Sequence, residues 1–305
     1  MRTNFFVLAL AFVSVCLGTR AADDDKPLSI YTTFYPTTYF TEAIGKAHVH
    51  VVNPLPDTED GAFWVPPREV VKQYQAADLI VMNGSNYEQG FGKVSLPESK
   101  VVVTTAFLKG NEVIFDDPIT HSHGAAGMHT HQGIDGHTWV DPRNAKKQAL
   151  AICDALCEKR PALAAEFKAN LEALNRRFDE LDGLAQNKLV PAAQGKQILA
   201  SHPAYNYLAR TYKLSVKSFH MDPNESPAKE ELEHIEKYLK EHPAAVILWE
   251  DTPKPENEKL MKERFKLTSV VFSPCEGLEK EDAKEGRNYF DVMKRNIENL
   301  AAALK

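Results

Sequence analysis

Five of the chain's eleven histidines, His121, His123, His129, His131 and His137, fall within 17 residues, where 11 in 305 predicts about 0.6. Imidazole nitrogen suits zinc, copper and nickel. Four of the five stand among Gly, Ala, Ser and Thr with no core pattern, which reads as a mobile metal-collecting loop rather than a solvated polar insert. His137 differs. Trp139-Val140-Asp141-Pro142 follows it, where the chain regains order before a helix, so its ring can be held rigidly.

Other donors collect where strands end. In open α/β sheets, ligands bind beyond the carboxyl ends of strands. The residues after four apolar runs of the second half are Ser201-His202, His220 with Asp222, Glu250-Asp251, and Ser273-Pro274-Cys275, nearly all of them metal-ligand types. His202 lies between Ser201, a candidate helix cap, and Pro203, an early-turn residue, and so should sit at a strand-to-helix corner facing the crevice. Glu250 closes Val246-Ile247-Leu248-Trp249, and either projects into a cleft or pairs with a base. His234 and His242 lie in a Lys/Glu-rich helical stretch and His48 and His50 alternate along a strand; none of these four is assigned a function. The sequence holds no Gly-x-Ser-x-Gly elbow, phosphate-cradling Gly-rich loop or paired-His metalloprotease helix.

The elements that must position these residues alternate between strand and helix. Leu28 to Phe34, His48 to Asn53, Ala77 to Asn83 and Lys100 to Thr104 read as strands, and Lys196 to Ala200, Leu214 to Ser218, Ala245 to Trp249 and Thr268 to Phe272 repeat the pattern. Crossover helices such as Lys229 to Glu241, and a closing helix Tyr289 to Leu304, complete two α/β units with parallel sheets. Between them, after a helical stretch broken at Pro161, Leu163, Phe167, Leu171, Leu174, Phe178, Leu181 and Leu184 recur at spacings of three and four, which marks one long amphipathic helix. It is either an interdomain strut or a large crossover helix; length alone does not decide. The resulting division is a signal at 1–21, an N-terminal lobe at 27–141 carrying a His-rich loop at 120–137, a helical linker at 142–190 and a C-terminal lobe at 191–305.

Composition bounds the function. With 43% hydrophobic and 26% charged residues the chain is globular, and a formal charge of −6 argues against nucleic acid as a partner. Arg2, the apolar run Phe5 to Gly18 and Thr19-Arg20-Ala21 read as an export signal cleaved near Ala22, which places the mature protein in the periplasm or outside the cell. The apolar run is shorter than the roughly 20 residues of a spanning helix, and no later segment could cross a bilayer. Lipidation at Cys16 is the less favoured alternative, because Val15 precedes it where a small residue is wanted. Cys153, Cys157 and Cys275 then remain, an odd number for an oxidising compartment. Cys153 and Cys157, four apart on a helix, could face one another or simply be a buried pair of small apolar residues.

Read in order, these residues resemble the periplasmic solute-binding proteins of zinc and manganese ABC transporters, of the cluster A-I type, along essentially the whole mature chain. The matching pieces are Tyr31-Thr32-Thr33-Phe34-Tyr35-Pro36; Gln75 to Gly84 with Tyr87-Glu88; the His-rich loop; His137-Thr138-Trp139-Val140-Asp141-Pro142; Ser201-His202 with Tyr205 and Tyr207; and Ser273-Pro274-Cys275-Glu276-Gly277. The resemblance implies two Rossmann-like α/β lobes joined by a long rigid helix, with one metal ion held in the cleft by three or four His, Asp or Glu ligands. His137 and His202 fall on two of those ligand positions. The first, normally a His, is Ala62 here, and the usual late Asp is Ser273.

Two imidazoles alone make a weak site for zinc, which prefers four donors. Glu250, then His220, then a loop histidine such as His123 or His131 are the favoured completing ligands, with Cys275 also in reach. The expected function is capture of Zn²⁺ outside the cytoplasm by a monomer that performs no reaction and hands its cargo to a cognate ABC permease. Mn²⁺ and Cu²⁺ are alternative cargoes, and a zinc hydrolase, or an adhesin or metal buffer on the same fold, are alternative functions. With neutral imidazoles as ligands, affinity should fall as pH drops through about 6.5.

Overall fold

A computed structural model describes residues 26–114, 119–122, 128–131 and 133–305. The expected export signal, Cys16 and His123 lie outside the described residues.

The first lobe runs β1 (Leu28–Thr32), α1 (Tyr35–Gly45), β2 (Val49–Val52), α2 (Arg68–Ala76), β3 (Leu79–Met82) and β4 (Val101–Val103). Its strands are parallel in the order β2-β1-β3-β4, as expected of short β-branched runs joined by crossovers. A two-stranded antiparallel ribbon follows, β5 (Ile119–Ser122) and β6 (Met128–His131), with His121 opposite His129 in the backbone register. The His-rich segment therefore contains a ribbon where its composition suggested an unstructured loop.

The linker is a helical hairpin. Asp141 caps α3 (Pro142–Lys159), accepting from the Arg143 N–H at 3.0 Å, with Pro142 in the first turn. That helix ends before Pro161, which disfavours helical backbone at the residue preceding it. The chain turns back into α4 (Ala164–Leu184), which continues through one wider turn into α5 (Val190–Ala193). Thirty residues of nearly continuous helix span about 45 Å. Phe167, Leu171, Leu174, Phe178 and Leu181 form its buried stripe.

The second lobe comprises β7 (Gln197–Ala200), α6 (Asn206–Tyr212), β8 (Ser215–Ser218), α7 (Lys229–Glu241), β9 (Ala244–Trp249), α8 (Pro255–Leu260), β10 (Thr268–Val271), α9 (Lys280–Lys284) and α10 (Tyr289–Ala303). Its parallel sheet has the order β8-β7-β9-β10, the same winding as the first. In both lobes the order reverses between the first and third strands, where doubly wound sheets open a crevice. Helix α4 touches α1 of the first lobe and α10 of the second, and one apolar core contains Phe34, Trp139, Phe178 and Phe272 together. The strut reading of the long helix therefore holds. Among the described residues no helix is long and apolar enough to cross a membrane.

Candidate metal centre

His202 follows β7 and Glu250 follows β9, so both emerge at the crevice of the second sheet. The Ser201 N–H donates to Leu248 O at 2.8 Å and fixes the turn. Ser201 is not a helix cap: α6 begins only at Asn206, and the Ser201 hydroxyl is buried without a hydrogen-bond partner.

His137 comes from the first lobe, ahead of a tight turn at Thr138–Val140. A buried polar lattice pins that turn to the end of β3. Asn83 Nδ2 donates to Gly136 O at 2.9 Å, while Thr138 Oγ1 and Gln148 Nε2 donate to Asn83 Oδ1 at 2.9 and 2.8 Å. Trp139 then bridges the lobes, its Nε1–H donating to Pro274 O at 2.7 Å and its carbonyl accepting from the Tyr289 hydroxyl at 2.6 Å.

The two imidazoles meet across the cleft. His137 Nε2 and His202 Nε2 lie 3.4 Å apart, and the two residues are 4% and 5% exposed. Glu276 adds an oxygen: its Oε1 is 3.1 Å from the same His137 Nε2. A tetrahedral zinc ion with bonds of about 2.0–2.2 Å separates neighbouring donors by about 3.3–3.5 Å, close to both spacings. Among the described residues no three such donors already stand as a complete cluster around one point; the pairs are at hydrogen-bond distances.

Each imidazole has a carboxylate on its far nitrogen. Asp135 Oδ1 lies 2.9 Å from His137 Nδ1 and also accepts the His137 backbone N–H at 2.9 Å, while Asp135 Oδ2 accepts from Asn206 Nδ2 at 3.0 Å. Glu250 Oε2 stands 3.5 Å from His202 Nδ1. Carboxylates so placed fix a ligand's tautomer and orientation. Glu250, the favoured ligand from sequence, thus contacts the nitrogen that faces away from His137.

His220 sits beside Glu231, whose Oε1 accepts its backbone N–H at 2.6 Å; burial lowers its pKa against the pull of Glu231. Cys275 is buried, its thiol pushed up chiefly by burial and then by Asp282. His131 lies in β6. Asp135 and Glu276 were not among the sequence candidates. An acid two residues before His137, and a Glu inside a motif already singled out, were the signals available.

Electrostatics favour a cation. Burial works to lower the pKa of His137, but hydrogen bonds to Asp135 and Glu276 overcome it and raise the value to about 10. Burial, followed by the charge of Glu276, pushes the Glu250 carboxyl well above the usual carboxylate range. Outside the histidine pair lies a cleft of about 680 Å³ lined from both lobes, including Asp60, Glu250 and Glu276; eight of its lining residues are carboxylic and none is Lys or Arg. Such a mouth concentrates cations.

The comparisons with known proteins bear on this geometry. The family described as "Zinc-uptake complex component A periplasmic" matches residues 30–303. The chain belongs to that family. It is 28% identical over 298 residues to the zinc-binding lipoprotein AdcA of Streptococcus pneumoniae, covering 96% of this chain and 58% of that protein. The chain therefore spans a little over half of that relative. It is 27% identical over 312 residues to the high-affinity zinc uptake system protein ZnuA of Bacillus subtilis, covering 99% and 97%. Among solved structures, the Zn(II)-bound ZnuA-like domain of Streptococcus pneumoniae AdcA matches with a TM-score of 0.76 and 25% identity over 91% of this chain and 99% of that one. The metal-dependent lipoprotein YcdH of Bacillus subtilis matches with a TM-score of 0.75 and 25% identity over 90% and 98%. The two-lobed α/β fold and the solute-binding family expected from sequence both hold. The hydrolase alternative finds no support, and neither does the expectation against a lipid anchor, since AdcA and YcdH are both named lipoproteins.

Proposed function

We propose that this family member captures Zn²⁺ outside the cytoplasm through His137 Nε2, His202 Nε2 and a Glu276 oxygen, and delivers it to the permease of an ABC transporter. The observation that carries the reading is the 3.4 Å approach of two buried imidazole nitrogens from opposite lobes, with a carboxylate oxygen 3.1 Å from one of them. Two nitrogens and one oxygen favour zinc over manganese, whose preference is for oxygen. The names of AdcA and ZnuA point the same way.

Asp135 and Glu250 act as orienting carboxylates rather than ligands. Ala62 contributes no donor, so a three-ligand protein set leaves one tetrahedral position for water. That arrangement holds an ion and still allows a permease to remove it. Because the ligands come from both lobes, the bound ion bridges them.

The test is zinc titration against a competing chelator. The wild-type chain should bind one equivalent tightly, and His137→Ala and His202→Ala should each abolish that site. Unchanged affinity in either variant would remove that residue from the shell.

A further inference from the structure

Asp135 steadies His137, and Asp135 is itself held from the opposite lobe. Its two oxygens divide the work. Oδ1 accepts the His137 backbone N–H and stands against Nδ1, both at 2.9 Å, while Oδ2 accepts from Asn206 Nδ2 at 3.0 Å. Asp135 is fully buried, so solvent does not stand in for the amide. A buried carboxylate oxygen stripped of its donor costs more than the bond itself is worth.

Asn206 opens α6, four residues after His202. The same Nδ2 also donates to Pro203 O at 3.2 Å. An amide NH2 carries two donors; here one stays on the residue after His202 and the other crosses to the residue two before His137. A single side chain thus joins the two ligand-bearing segments. The contact is built into the fold on both sides. The Asp135 N–H donates to Val113 O at 2.8 Å, and Ile114 bridges Ile134 in antiparallel register, so 113–114 and 134–135 run side by side. Helix α6 grips this pair of segments twice more: the Tyr207 hydroxyl accepts the Val113 N–H at 3.2 Å, and Arg210 Nη1 donates to Asn111 O at 2.7 Å. Residues 206, 207 and 210 share one face of a helix.

We propose that Asn206 is a positioning residue of the metal site: anchored on Pro203 O, it donates across the cleft to Asp135 Oδ2 and keeps the other oxygen on His137 Nδ1. The inference rests on the zinc-capture reading of the same site and extends it past the ligands and their carboxylates. When Nε2 takes the metal, Nδ1 keeps its proton and donates it to Asp135, which fixes both the tautomer and the plane of the ring. A carboxylate free to turn about its own Cβ–Cγ bond would fix neither. Asn206 removes that freedom.

The experiment reads zinc affinity by chelator competition and, in the zinc-loaded protein, the proton resonance of His137 Nδ1–H. It compares the wild-type chain with Asn206→Leu, Asn206→Asp, Asp135→Ala, the double variant of Asn206→Leu with Asp135→Ala, Arg210→Ala and His202→Ala. Asn206→Leu keeps the volume and removes both donors; affinity should fall about 10-fold, and the Nδ1–H resonance should shift and exchange faster with water. Asn206→Asp sets a carboxylate against Asp135, should cost at least as much, and carries the test if Asn206→Leu does not fold. With Asp135→Ala already present, Asn206→Leu should cost nothing further. Arg210→Ala loosens the same helix from Asn111 without touching Asp135, and should leave both readouts at wild-type values. Wild-type affinity or an unmoved resonance in the Asn206 variants overturns the proposal. So does an undiminished loss without Asp135, or an equal loss in Arg210→Ala, which would reduce the contact to docking of α6. If His202→Ala binds zinc as the wild type does, the reading of the cleft fails and this proposal falls with it; if His202→Ala loses binding and the Asn206 variants do not, only the proposal falls.

Discussion

Glu276, carried on the second lobe, places Oε1 3.1 Å from Nε2 of His137 on the first. Cys275 before it takes a left-handed backbone conformation, φ 63°, and the Tyr35 N–H donates to Glu276 O at 3.1 Å. The carboxylate is thus held across the cleft by backbone geometry on its own lobe and by a hydrogen bond from the other. Zinc affinity should fall by more than about 100-fold in Glu276→Gln, beyond the range of an orienting residue, with the fold intact by circular dichroism. A loss under tenfold would move Glu276 out of the ligand set.

Glu250 separates a ligand from an orienting group. Its contact is with Nδ1 of His202, so Glu250→Gln should retain one-equivalent binding and weaken it by about 10- to 100-fold. Complete loss of the site in calorimetric titration would make Glu250 a ligand after all.

Protons compete with the metal at His137. Residue type alone puts the loss of affinity near pH 6.5, but with its folded value at about 10 the ring carries a proton on Nε2 at pH 7.5. Zinc must displace that proton. The sign follows: affinity rises with pH throughout the range below 10, by about tenfold per unit for one displaced proton. Calorimetry at pH 7.5 in buffers of different ionisation enthalpy should show release of about one proton or more per zinc; no release would contradict the buried triad of Asp135, His137 and Glu276.

Away from the cleft, Asp282 tests the packing of the second lobe. Its side chain is 3% exposed and accepts from Arg295 Nη1 and Nη2 at 2.7 Å each. Hydrogen bonds to Arg295 hold its carboxyl below the ordinary range against burial, with Arg287 adding to the effect. Asp282→Asn should cost about 1.5–3 kcal/mol in urea unfolding at pH 7. A depressed carboxyl stabilises above the unfolded value near 3.9 and loses that contribution as pH falls through the lower folded value, so the difference between wild type and variant should shrink below about pH 4. A variant as stable as the wild type at pH 7 would refute this.

Much of this was legible in the sequence. The strands of the first sheet announced themselves as short β-rich runs punctuated by Pro36, Pro54, Gly84 and Thr105, those of the second as a repeat of the same alternation, and α4 by its stripe from Phe167 to Leu181, because all depend on local periodicity. His137 and His202 were legible because histidine is scarce and the ends of strands are where crevices open. Glu276 and Asp135 were not, since a carboxylate is one among 42 acidic residues and its meaning depends on which imidazole the fold brings to it. The sequence left Glu250 either projecting into a cleft or pairing with a base and favoured it as a ligand; only the three-dimensional arrangement shows which nitrogen of His202 it meets. The capping role given to Ser201 failed, because the helix begins only at Asn206, behind Tyr205.

The most direct test is an anomalous difference map at the zinc edge from crystals of the zinc-loaded chain. The account predicts one strong peak in the interlobe cleft, about 2.0–2.2 Å from His137 Nε2, His202 Nε2 and a Glu276 oxygen. A peak confined to the His121–His131 segment, or one ligated by either imidazole without the other, would contradict it.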